Sequence, residues 1–286
     1  MAFAVFADGS ANLPKKFLGN IRLLPCHYTR NNENKVYTGD VDQFDGHSLY
    51  EDLRNGTVVK TSLLNTKLFI DQFTPLLKQG LDVVYVSMSS GISGTYNAAR
   101  LAAQELMEQY KGRFVHIVDS LGCGFGNGIL AMEADELSQD GKDARSAAQI
   151  LDEDVPHICQ YFTVDDLNFL KKTGRVSGVT AAIGTILNIK PILFGSASGE
   201  IISCGKVRGR KKAIEALIDK FNEKREKLQR QIFISHGDCP EDAETLKSAV
   251  SAAAPEAAVT VCQHEPFSGA HVGPGMLGLF FRGKER

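Results

Sequence analysis

The residues best suited to chemistry sit together in one stretch, Ser87-Met88-Ser89-Ser90-Gly91-Ile92-Ser93-Gly94-Thr95-Tyr96. The apolar run over residues 82–88 reads as a strand, and residues 93–110 have helical spacing. A helix N-terminus presents unpaired N–H groups at the positive end of its dipole, so it favours anions. Ser93 falls in the capping zone, and Gly94 lets a ligand approach the backbone closely. The stretch therefore predicts a small site for a carboxylate or a phosphate. The structural alternative is that Ser90 or Ser93 only caps the helix. Gly91-Ile92-Ser93-Gly94-Thr95 also approaches the nucleophile elbow of serine hydrolases, with Thr95 where the last glycine belongs.

Other candidates are scattered along the chain. Ser268-Gly269-Ala270-His271-Val272-Gly273-Pro274-Gly275 sets one histidine among small residues before a Gly-Pro-Gly turn, the composition of a close-approach ligand loop. Thr61-Ser62 follows a short strand read at Val58-Val59, and its hydroxyls can serve an anion or a turn. Asp8-Gly9-Ser10 follows the first strand, where an acid organises loops. Gly122-Cys123-Gly124-Phe125-Gly126-Asn127-Gly128 misses the dinucleotide register and reads as a tight strand-to-helix turn. Arg175 stands just past a helix end in Gly174-Arg175-Val176-Ser177. Residues 206–212 hold five cations, Arg208 among them, a solvated helix start or a grip for phosphate.

The elements that must position these residues alternate. Strands are read at residues 3–7, 82–88 and 115–118, and helices at 66–79, 93–110 and 128–137. A hairpin is read over 21–29 and 35–38. This order predicts a parallel sheet with helices on its faces. Beyond residue 155 the pattern changes. Helices at 164–172, 179–187, 211–229 and 241–254 mix with strands at 157–163, 192–194, 201–207, 232–235, 258–263 and 276–281. The fold class expected is α/β in two domains. Residues 1–155 form an N-terminal parallel-sheet domain carrying the Ser93 helix. Residues 156–286 form a C-terminal α+β domain carrying Arg175, Arg208 and His271.

Composition narrows the class. The net charge of −2 offers no field for nucleic acid, and the short basic run lacks interleaved aromatics. Six cysteines without a C-x-x-C pair predict neither a metal site nor a redox motif, and fit a reducing cytoplasm. The N-terminus lacks a signal-peptide pattern, and no apolar run is long enough to span a bilayer.

Taken together, the motifs resemble the DegV family over nearly the whole chain. The pieces are Asp8-Gly9-Ser10, Thr61-Ser62, Ser90-Gly91-Ile92-Ser93-Gly94-Thr95, Val118-Asp119-Ser120, Thr173-Gly174-Arg175, Lys206-Val207-Arg208 and His271-Val272-Gly273-Pro274-Gly275, in family order. Where the family commonly has Thr-Ser-x-Pro-Ser, this chain has Thr61-Ser62-Leu63-Leu64-Asn65, with Leu64-Asn65 in place of Pro-Ser. The resemblance implies two α/β domains around a buried long-chain fatty acid, with no cofactor and no catalysis by this subunit. It implies carboxylate contacts from Thr61, Ser62, Ser93, Gly94, Thr95 and His271. Arg175 and Arg208 would face a partner, an ATP-dependent kinase subunit that makes the acyl phosphate, or steady the phosphoryl group. Two other classes stay open on the residues alone: a hydrolase or acyltransferase using Ser93 with His271, and a small-anion-binding regulatory module.

Overall fold

A computed structural model describes residues 2–176 and 188–286. The helix expected at 179–187 lies outside the described residues. The first half runs β1 Phe3–Asp8, β2 Arg22–Leu24, β3 Cys26–Arg30, β4 Glu33–Tyr37, α1 Gly46–Arg54, β5 Lys60–Ser62, α2 Thr66–Lys78, β6 Asp82–Ser87, α3 Thr95–Gln109, β7 Val115–Asp119, α4 Phe125–Gln139 and α5 Ala144–Asp154. The second half runs β8 Ile158–Thr163, α6 Asn168–Thr173, β9 Ile189–Gly195, β10 Ile201–Arg208, α7 Arg210–Lys224, β11 Gln231–His236, α8 Pro240–Ala253, β12 Ala258–Gln263, α9 Pro266–Val272 and β13 Leu277–Arg282.

Among the described residues the strands form three sheets. The first has order β2-β1-β6-β7 and is parallel throughout, which suits the near-continuous burial of β1 and β6. The second has order β10-β9-β8-β13-β11-β12 and is mixed; only β11 and β12 run parallel. A small antiparallel sheet, β4-β3-β5, stands beside them. The chain is thus a mixed α/β fold, as the pattern predicts.

Local departures have local causes. The strand expected over 21–29 breaks at Pro25, so β2 joins the parallel sheet and β3 the small one. Asn31 and Asn32, both at positive φ, make the tight β3–β4 turn. The strand expected at Val58-Val59 lies instead at Lys60–Ser62, where pairing with β3 is available. The loop expected from Ser268 begins as helix α9, because Glu265 caps it and Pro266 opens it.

One core joins the two large sheets. It contains Phe3 and Val84 from the parallel sheet, Leu130 and Ala134 from α4, and Ile158 and Phe280 from the mixed sheet. Phe125 of α4 stacks on Phe233 with centroids 4.3 Å apart. Helices α2 and α3 pack over the other face of the parallel sheet, and α7 and α8 over the mixed one. The loops that carry the candidate residues therefore emerge between layers that share α4.

Candidate functional site

The serine corner is built from β6 outward. Asp8, at the end of β1, is buried and accepts from Ser10 N at 3.0 Å, Ser10 Oγ, Tyr85 Oη at 2.8 Å and Met88 N at 3.2 Å. It is a loop organiser, as its position suggests. Ser89 is a second hub. Its Oγ donates to Gly199 O at 2.7 Å and accepts from Gly91 N at 3.0 Å, while its carbonyl accepts from Ser93 N at 3.2 Å. Ser93 Oγ accepts from Thr95 N at 3.2 Å and donates to Thr95 Oγ1 at 3.0 Å. Thr95 Oγ1 also accepts from Leu64 N at 3.3 Å. Ser93 therefore holds the start of α3 and also lines a cavity.

The opposite wall comes from β5 and α9. Pairing with β3 turns Thr61 inward and leaves Lys60 and Ser62 exposed. Thr61 Oγ1 meets His271 Nε2 at 2.9 Å, and His271 Nδ1 is buried with no hydrogen-bond partner among the described residues. Burial and then the nearby Arg175 hold the His271 imidazole down to about 4, so it is neutral at physiological pH. Arg175 follows a Schellman-type end of α6. Gly174, at φ 68°, donates to Lys171 O at 3.1 Å, and Arg175 N donates to Leu170 O at 3.1 Å. Arg175 meets no carboxylate at ion-pair distance among the described residues.

Between the corner and this wall lies a cavity of about 390 Å³, within the range of small-molecule sites. Its lining is mostly apolar, with Leu63, Ile92, Phe162, Leu170, Met276 and Phe280 among its walls. A second, outer cleft of about 870 Å³ lies across the wall. Thr61, Arg175 and His271 line both spaces, and Lys60 and Lys172 line the outer one. Thr61, Arg175 and His271 thus form a wall common to both spaces.

The interior also holds polar residues outside the family motifs. His264 Nε2 lies 2.8 Å from Ser268 Oγ, and His264 Nδ1 lies 2.9 Å from Ser235 Oγ. Ser268 Oγ also meets Glu265, which accepts from Ser268 N at 2.9 Å. Burial raises Glu265 to about 7 and lowers His264 to about 3. So weakly basic an imidazole is a poor general base for Ser268. Among the described residues no hydrogen bond joins Ser93 to His271, so the pairing a serine nucleophile needs is not formed.

Of the residues singled out in the sequence, the fold brings Thr61, Ser93, Gly94, Arg175 and His271 to one cavity. Thr95 is buried behind Ser93 and lines neither space. Ser62 points away from the cavity, and Arg208, exposed at the end of β10, lines neither space. Gln160 and His264 line the cavity and carry no such mark, and Ser268, which opens the stretch read around His271, lines it too. A polar Gln160 inside an otherwise apolar strand, and Glu265-Pro266 as a helix start, are the signals that point to them.

The whole chain has relatives. The family described as "Uncharacterised protein, DegV family" matches residues 2–284. A DegV domain-containing protein of Clostridium perfringens is 35% identical over 283 residues, 98% of this chain and 97% of that one. A solved DegV family protein from Thermus thermophilus, described by its fatty acid binding, is 26% identical with a TM-score of 0.87, covering 99% of this chain and 100% of its own. DegV of Bacillus subtilis, described as a fatty acid binding protein, is 28% identical with a TM-score of 0.83 over 99% and 100% of the two chains. Motifs, fold and relatives agree that the chain belongs to the DegV family.

Proposed function

We propose that this protein binds one long-chain fatty acid, its tail in the inner cavity and its carboxylate at Thr61, Ser93 and His271. The observation that carries this is the shared wall: Thr61, Arg175 and His271 border both a largely apolar cavity and a neighbouring cleft. The solved relatives described by fatty acid binding support the same ligand class.

The energetics divide between tail and head. Each buried methylene contributes about 0.8 kcal/mol, so a long tail offers on the order of 10 kcal/mol before association costs. The carboxylate costs several kcal/mol to bury unless hydrogen-bonded, so it selects orientation rather than affinity. Its donors on this reading are the Nδ1–H of His271 and the N-terminus of α3, with the Thr61 hydroxyl donating to His271 Nε2 and so fixing that tautomer. His271 serves as a neutral hydrogen-bonding group, and Arg175 supplies the positive charge.

The protein acts as a carrier and not as a catalyst. An acyl carboxylate held in the wall faces the outer cleft, where a separate ATP-dependent kinase subunit reaches it and forms the acyl phosphate. Lys60, Lys172 and Arg175 flank that approach, and Arg208 offers a further cation for the partner's surface. The division of the chain at residues 155 and 156, and a cytoplasmic address, belong to the same proposal. Among the described residues no helix is long and apolar enough to cross a membrane.

The test is displacement of a fluorescent fatty acid by unlabelled acids, with hydrolysis of an activated ester measured alongside. The carrier reading expects saturable displacement and no Ser93-dependent hydrolysis. Hydrolysis that disappears in Ser93→Ala, without stoichiometric displacement, would replace the carrier by an enzyme.

A further inference from the structure

Gln160 sits in β8, 9% exposed, facing the cavity. Its Nε2 donates to Leu121 O at 2.8 Å, and its Oε1 accepts from Cys123 N at 3.2 Å. One side chain of the mixed sheet thus holds two backbone groups of the loop that leaves β7 in the parallel sheet. Glycine makes the room. A Cβ on Gly122, Gly126 or Gly195 would meet the Gln160 side chain at 3.0, 2.6 or 2.4 Å. This gives the glycine-rich run at 122–128 a purpose beyond turning the chain.

The clasped loop is not at ease by itself. Leu121 has φ 50°, in the left-handed region that residues with a Cβ rarely occupy. The loop is also tied to the serine corner. Gly122 O accepts from Ser89 N at 2.8 Å. Asp119 Oδ1 accepts from both Leu121 N at 3.2 Å and Ser90 N at 3.0 Å. Ser89 O in turn accepts from Ser93 N. An unbroken series of hydrogen bonds runs from β8, through the loop, to the turn that presents Ser93.

We propose that Gln160 is a positioning residue for the head-group site: by clasping Leu121–Cys123 it sets Ser93 and the adjoining cavity wall at the right distance from His271. The inference rests on the fatty-acid reading of the cavity. It differs from a tail contact in what it predicts. Displaced geometry at the head group weakens every acid alike, whereas a lost tail contact weakens only those long enough to reach it.

The experiment compares wild type, Gln160→Leu and Gln160→Glu in displacement by dodecanoic and octadecanoic acids, each value taken relative to wild type at the same pH. Gln160→Leu keeps the volume and removes both bonds; affinity for the two acids should fall equally, by about tenfold, the scale of one lost buried hydrogen bond. Gln160→Glu keeps the acceptor for Cys123 N. It regains a donor for Leu121 O only when protonated, so its loss should appear at alkaline pH and recover in acid. A merely space-filling residue gives no such recovery. Affinities equal to wild type, a loss confined to the longer acid, or a Gln160→Glu defect indifferent to pH would each overturn the proposal. A wild-type protein that binds neither acid would instead overturn the fatty-acid reading beneath it.

Discussion

The serine corner and the β5–α9 wall face each other across one cavity, yet they handle their hydrogen bonds in opposite ways. At the corner nearly everything is spent internally. Asp8 takes four donors, Ser89 joins three segments, and Ser93 closes on Thr95. At the wall His271 has one partner and one orphaned nitrogen, and Arg175 has no ion pair among the described residues. The corner is therefore a preformed frame, and the wall keeps unused capacity for a ligand. Damage to the corner should register mainly as lost stability. Damage to the wall should register mainly as lost binding.

The sharpest way to break that contrast is Asp8→Ala. It strands the Tyr85 hydroxyl and the Ser10 and Met88 amides in the interior, at about 1–3 kcal/mol for each unsatisfied group. Thermal unfolding should show a larger loss for Asp8→Ala than for any substitution in the wall, and a midpoint near wild type would refute the frame. His271→Ala should leave the melting midpoint within a few degrees of wild type while weakening fatty-acid displacement by about tenfold or more. A variant that unfolds but binds normally when folded would reverse the assignment. Ser93→Ala lies between. It removes the Ser93–Thr95 contacts at the start of α3, worth about 1 kcal/mol, and on the proposed reading lowers affinity modestly.

The smallest expected effect is on pH dependence. His271 is held below its ordinary value in the folded state, to about 4. The unfolded chain therefore binds its proton first as pH falls. Stability from this group is complete above about 6.5 and drains away as pH falls toward 4. Glu265, raised to about 7, works in the opposite sense. Its contribution is complete below the ordinary glutamate value and is lost as pH rises through 7. Urea unfolding across pH 4–8 should show a shallower acid loss in His271→Ala and a shallower loss towards pH 8 in Glu265→Gln. Curves parallel to wild type would clear both groups of any part in the pH dependence.

The same contrast explains what was legible in the sequence. The corner's signals are local: an apolar strand, a Ser-Gly turn and a helix start follow one another, so Ser93 and Gly94 stand out. The stop after α6 is equally local, because Gly174 supplies the left-handed residue that ends a helix. His271 is marked by its Gly-Pro-Gly neighbour. What no local pattern carries is pairing across the chain. Thr61 reaches His271 because β5 pairs with β3, and that register turns Ser62 outward and places the strand after Val59 rather than at it. Gln160 finds Leu121 only through the stacking of two sheets about α4. Arg208 resembles Arg175 in its basic setting, but the length of β10 carries it away from the cavity.

The most direct test of the central claim is the content of the cavity. Freshly purified protein would be weighed intact under native conditions, then extracted with denaturing solvent and its lipid identified by mass spectrometry. A fatty-acid carrier should yield one fatty acid per chain, lost on denaturation and markedly depleted in His271→Ala. A protein that is empty, and stays empty after incubation with long-chain fatty acids, would contradict that claim.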